Sequence, residues 1–110
     1  MLPDFSKPAF SFVALCTIRF RDREDGTARK IHSDYRCQLC YIGSATTSAM
    51  SEARVYLVGR EHVTSGEDVP AVLTFLDWEA QQHRCHAGTQ FELLEGGVVT
   101  AVGTVHSIVR

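Results

Sequence analysis

Residues 88–109 read GTQFELLEGGVVTAVGTVHSIV. Two apolar, β-branched runs meet there at Glu95-Gly96-Gly97, a hairpin signal in which glycine supplies backbone angles that other residues avoid. The first run, Phe91 to Leu94, is short; the second, Val98 to Val109, is long and apolar on both alternating faces. Uniform alternation puts Val99, Ala101, Val105 and Val109 on one side, with Val98, Val102 and Ile108 on the other. A strand apolar on both sides is covered on both for part of its length. It therefore belongs inside a closed or sandwiched sheet, not at a free edge.

Working outward, Phe10, Phe12, Ala14, Cys16, Ile18 and Phe20 share one face of an opening strand, while Thr17, Arg19, Arg21 and Arg23 share the other. This is half-buried alternation with Cys16 inside, although Val13 and Leu15 imply cover over the outer face of its first half. Asp22 to Gly26 is a charged turn. A second extended run spans Tyr35 to Ile42, and Gly43 to Ser51 reads as a loop. Arg54 to Gly59 is a short strand, Thr64 to Asp68 a turn, and Val69 to Leu76 a strand with Pro70 at its beginning. Asp77 to Ala87 reads as a loop leading into Gly88. Short strands separated by turn signals, with no amphipathic helix, predict an all-β barrel or sandwich. Residues 1–9 form a tail and 10–110 one domain.

The 110 residues suffice for one core, and the hydrophobic fraction of 45% and charged fraction of 22% are those of a soluble globular chain. The formal charge of −2 conceals an asymmetry. Residues 1–36 hold seven basic side chains against five acidic ones, and residues 37–110 hold four against eight. Charge alone does not predict strong nucleic-acid binding. No run reaches the roughly eighteen apolar residues of a membrane helix. A lipoprotein signal ending at Cys16 is disfavoured by the bulky Leu15 before it, so a cytoplasmic location is expected.

The ordered pieces resemble the carboxy-terminal barrel of bacterial translation elongation factor Tu. The opening strand from Phe12 and the charged turn with Gly26 come first. Tyr35-Arg36-Cys37-Gln38-Leu39 then stands where that family has Tyr-Arg-Pro-Gln-Phe, and Ser65-Gly66-Glu67-Asp68-Val69 where it has Pro-Gly-Asp-Asn-Val. Gly88-Thr89-Gln90-Phe91 stands for Gly-Leu-Arg-Phe. Glu95-Gly96-Gly97, with Gly103 and Val105 beyond, matches its closing Glu-Gly-Gly and Gly-Val. The resemblance implies a six-stranded antiparallel Greek-key closed barrel that packs on other protein domains and touches the T-stem backbone of tRNA. The implied RNA-contacting positions are Gln38, Glu95 and Gly96. Asp77 replaces a family lysine and would repel phosphate, Cys37 replaces a proline, and Val98 an arginine. The chain lacks a GxxxxGK[ST] loop, so no nucleotide or GTPase chemistry is expected.

Other chemistry is thin. A zinc site would draw on Cys37, Cys40, Cys85 and His86, but an offset of three along an extended strand sends Cys37 and Cys40 to opposite faces. The competing reading places one cysteine in the core and the other near the surface. A nucleophilic pair of Cys85 with His83 or His86 lacks an orienting third residue, and Glu92 with Glu95 is poorly placed for acid–base work. Arg19, Arg21, Arg23 and Arg36 form either a phosphate-contacting patch or a solvated face salted with Asp22, Glu24 and Asp25. Trp78 is either a barrel plug or an exposed anchor. The expectation is a non-enzymatic, cofactor-free binding module, a free-standing relative of the elongation-factor barrel that acts through protein contacts or self-association. Translation-associated tRNA binding is the alternative, and a zinc module the outsider.

Overall fold

Period-two alternation closes this sheet on itself. A computed structural model describes residues 13–42, 50–79, 81 and 83–109. The strands are β1 (Val13–Phe20), β2 (Lys30–His32), β3 (Tyr35–Tyr41), β4 (Ser51–Leu57), β5 (His62–Thr64), β6 (Asp68–Phe75), β7 (Gln90–Glu95) and β8 (Val98–Val109). Six of them form a closed antiparallel barrel in the order β1-β6-β4-β3-β7-β8, with β8 returning to pair with β1. Within it β3, β4 and β6 are successive neighbours and β7 comes back beside β3, which is a Greek key. No helix occurs among the described residues. The tail, Phe10, Phe12 and residues 43–49 of the expected loop lie outside the described residues. Ser51, the loop's expected last residue, instead opens β4, which ends at Leu57, before Gly59.

The lumen is solid. Ala14, Cys16, Ile18 and Phe20 of β1 point inward as their alternation requires, and meet Leu39, Val55, Leu73, Phe91, Leu93 and Val105 from the other strands. Six strands leave an interior that side chains fill, with no room for a ligand. Val13 is buried on the outer wall, where it clusters with Tyr56 and Val72, while Leu15 is 37% exposed. Cover over the first half of β1 is therefore partial.

β8 departs from uniform alternation. Its register shifts against β7 between Leu93 and Leu94, and against β1 between Leu15 and Cys16. Thr100 is the residue skipped in the pairing with β7 and His106 the one skipped in the pairing with β1. Such bulges reverse the facing of everything beyond them. Ala101 and Val105 point inward as expected, but Ile108 packs against the core and Val109 is 47% exposed, opposite to the even pattern. The hairpin itself holds: Gly96 and Gly97 both have positive φ, 56° and 82°, as a two-residue type I′ turn requires.

The ends are closed by polar plugs. At one, the Tyr35 hydroxyl lies 2.8 Å from Thr100 Oγ1, and the Tyr35 ring meets Phe20 edge-on at 5.2 Å. β2 and β5 form a separate two-stranded ribbon there, with Ile31 and Val63 turned into the core. At the other end Gln81 is 2% exposed; it accepts a hydrogen bond from Tyr41 Oη at 2.6 Å and donates one to Ser51 Oγ at 2.5 Å. Trp78 packs half-buried against the core beside this plug.

Candidate functional site: a groove on the outer wall

Strand register assembles the candidate site. Gln38 pairs with Leu94 on one side and Glu52 on the other, and Arg36 pairs with Arg54, which in turn pairs with Thr74. Two parallel rows result on the outer wall. One runs Leu94–Gln38–Glu52 and continues to Leu76, whose backbone N–H donates to the Glu52 carbonyl. The other runs Arg36–Arg54–Thr74, with Gly96 next to Arg36. Between and around them is a groove of about 730 Å³. Arg36 and Gln38 from β3, and Glu95 and Gly96 from the distant β7–β8 hairpin, all line it.

The groove carries unbalanced positive charge at one point. Arg36 stands directly opposite Arg54, an arrangement that disfavours itself. Tyr56, and the Asp34 carboxylate 3.9 Å from its Nε, both favour the charged form of the Arg54 guanidinium. Among the described residues no carboxylate pairs with Arg36. Glu95, by contrast, is held at 3.0 Å by Arg29. Leu76 is 83% exposed at the far end of the groove, an apolar side chain left in water beside a charged row.

The other arginines do not join Arg36. Arg19 is paired edge-on with Asp68 through two hydrogen bonds of 2.9 and 3.1 Å. Arg23 folds back onto Thr27 and the Ala28 carbonyl of its own turn. Arg21 is exposed beyond the end of β1, and β3, which carries Arg36, neighbours β4 and β7 but not β1. Arg36 therefore lies on a different wall from Arg19 of β1.

The outsider zinc set is dispersed. Cys37 faces inward, its thiol 3.8 Å from the Ala53 carbonyl, while Cys40 is one step out of phase and points outward. Cys85 is buried by the opposite plug, near Tyr41, and His86 is exposed. Among the described residues no group of three or more His, Cys, Asp and Glu side chains is placed to hold a metal. Burial, and secondarily the Glu95 carboxylate, pushes the Cys37 thiol up to about 12, so it is neither a ready ligand nor a nucleophile. Burial likewise pushes Cys85 up to about 11. Cys85, His83 and His86 thus lack an activated thiol.

Arg54, Glu52, Tyr56 and Leu76 complete the groove without having been singled out in the sequence. For the three on β4 the signal was its alternation, in which Ala53, Val55 and Leu57 turn inward and Glu52, Arg54 and Tyr56 outward. Only the pairing register shows which residues these outward ones meet.

Fold and site together define a small closed antiparallel barrel with a filled lumen and a mixed polar and apolar groove on its outer wall. No protein-family model matches the chain, and no characterised protein matches it in sequence.

Proposed function

We propose that this chain is a non-catalytic binding module, related to the last barrel of elongation factor Tu, whose outer groove receives a segment of a partner protein. The observation that carries the reading is that Arg36 and the exposed Leu76 line one groove: a cation for a partner carboxylate and an apolar contact on the same surface. Interfaces of this kind draw their energy from a few apolar and arginine anchors at the centre, with polar groups at the rim. The kinship rests on the ordered motifs and is supported by the closed Greek-key barrel.

The second reading, tRNA contact, is favoured by one specific feature. The three positions implied by the resemblance, Gln38, Glu95 and Gly96, converge on this groove beside two arginines. Against it stands Glu52 within the groove, which would repel a phosphate chain.

The test compares the full chain with an Arg36→Glu, Leu76→Ser variant as bait in lysate from its native cell, with and without RNase. A protein retained by the wild type regardless of RNase, and lost from the variant, supports the proposal. Retention abolished by RNase favours the RNA reading, which labelled tRNA should then reproduce with affinity falling steeply as salt rises. Equal retention by wild type and variant would overturn the groove as the binding face. Sedimentation of the free chain tests self-association through the same surface, since the variant should then remain monomeric where the wild type does not.

A further inference from the structure

The ribbon of β2 and β5 sets two histidines face to face. His32 pairs directly with His62, and their ring centres lie 6.1 Å apart at an interplanar angle of 53°. The hydrogen-bond pattern fixes what kind of pair this is. The Ser33 N–H donates to the Glu61 carbonyl and the Ser65 N–H to the Arg29 carbonyl, so positions 33/61 and 29/65 are hydrogen-bonded pairs. Alternation along an antiparallel ladder then makes 32/62 a non-hydrogen-bonded pair, the type whose Cα atoms approach to about 4.5 Å and whose side chains stand closest. Both histidines are exposed, on the ribbon face opposite Ile31 and Val63, which are buried in the core. The backbone of the pair is thus anchored while the rings remain free to adjust in solvent.

We propose that His32 and His62 form a two-imidazole site for a late first-row divalent cation of the Zn²⁺, Ni²⁺ or Cu²⁺ class. Imidazole nitrogens bind such ions at about 2.0–2.1 Å, which brings two ring centres to roughly 4.5–5.2 Å for cis-planar to tetrahedral angles. Closing from 6.1 Å requires the rings to move together by about 1 Å, within the reach of small χ rotations at two exposed side chains. Two corners come from protein and water fills the rest. A metal bound here ties β2 to β5 and so braces the ribbon that caps one barrel end. The site is separate from the groove and does not depend on its function.

The test is titration of the full chain with Ni²⁺ in a non-chelating buffer at about pH 7.5. Ni²⁺ is the probe because Cu²⁺ would oxidise thiols. The expected result is one ion per chain, selective broadening of the His32 and His62 ring-proton resonances, and a raised thermal midpoint. His32→Ala and His62→Ala should each lose the binding, while His106→Ala and a His83→Ala, His86→Ala double variant keep it. Zn²⁺ should compete for the same site. A wild type that neither takes up Ni²⁺ nor gains stability from it would overturn the proposal. So would undiminished binding by the His32 or His62 variant, which would move the metal to another histidine or to Cys40.

Discussion

Adding one methyl group at Gly103 should destabilise the barrel. Gly103 lies on β8 directly opposite Phe91 of β7, and Phe91 is fully buried. A Cβ at position 103 would sit 2.4 Å from Phe91 Cζ, 2.8 Å from Cε1 and 3.0 Å from Cε2, so it would land on the ring edge. Ordinary contact begins near 3.5 Å, so the ring must retreat by about 1 Å. It has little space to do so, because Phe91 is flanked by Tyr41 across the strand pair and by Leu93 on its own strand. Overpacking of this kind costs about 1–3 kcal/mol. Loss of glycine's freedom in the unfolded chain returns about 0.4–1 kcal/mol. The net expectation for Gly103→Ala is a loss of about 1–2 kcal/mol, or a fall in Tm of roughly 5–10 °C for a chain of this length. Urea unfolding followed by fluorescence of Trp78, the single tryptophan, measures it. A double variant with Phe91→Leu isolates the mechanism, since the alanine methyl then occupies space the ring vacated. The two changes should couple favourably by more than about 0.5 kcal/mol. A Gly103→Ala midpoint at or above wild type, or strict additivity in the cycle, would refute the packing argument.

Three further outcomes follow from the plugs and the thiols. Gln81→Leu removes both the acceptor for Tyr41 and the donor to Ser51, and should cost about 1–3 kcal/mol in the same urea assay, part of it recovered by adding Tyr41→Phe. If Gln81→Leu were no less stable than wild type, the plug would be ornamental. Stability should fall in alkali. Burial raises Cys85 from an ordinary 9.0 to about 11 and Cys37 to about 12, and raises Cys16 and Tyr41 as well. A raised pKa means the folded state keeps protons the unfolded chain releases, so this stability is complete below about pH 9 and lost as pH climbs through 11 and 12. The slope is about 1.4 kcal/mol per pH unit for each such thiol, and Cys85→Ala should lessen it; a urea midpoint unchanged from pH 8 to 11 would contradict it. Finally, iodoacetamide should label outward-facing Cys40 well before buried Cys16 and Cys85, as read by peptide mass spectrometry; comparable labelling of all three would argue against the burial described.

The sequence carried the local pattern well and the long-range register not at all. Ala14, Cys16, Ile18 and Phe20 could be placed inside from spacing alone, because a strand half in water advertises its faces. The Gly96-Gly97 turn was equally legible, since few other residues accept its angles. β8 was only half readable: a bulge adds one residue without changing composition, so nothing local marks Thr100 or His106 as the point where facing reverses. β2 and β5 are three residues each, too short to show a period. The candidate groove depends on register throughout. That Arg36 and Gln38 face Arg54 and Glu52 is a property of two strands and cannot be found in either.

The location of any binding face follows from the same closure. A six-stranded lumen filled by Phe20, Phe91, Leu39, Leu73 and Leu93 excludes ligands from the inside, so recognition is confined to the outer wall and the ends. The walls are not equivalent. Between β1 and β6 the cross-strand charges are matched, Arg19 to Asp68, and an exposed matched pair contributes little to folding or to attracting a partner. Between β3 and β4 the charges directly opposite are alike, Arg36 to Arg54, and only Arg54 has Asp34 to answer it. A like-charged cross-strand pair disfavours the folded chain by itself, and a bound anionic group would relieve it. Replacing Arg36 with Gln should therefore leave the barrel as stable or slightly more stable while weakening partner binding. Loss of stability and binding together would mean that Arg36 serves the fold, and the groove would lose its strongest claim to be the site.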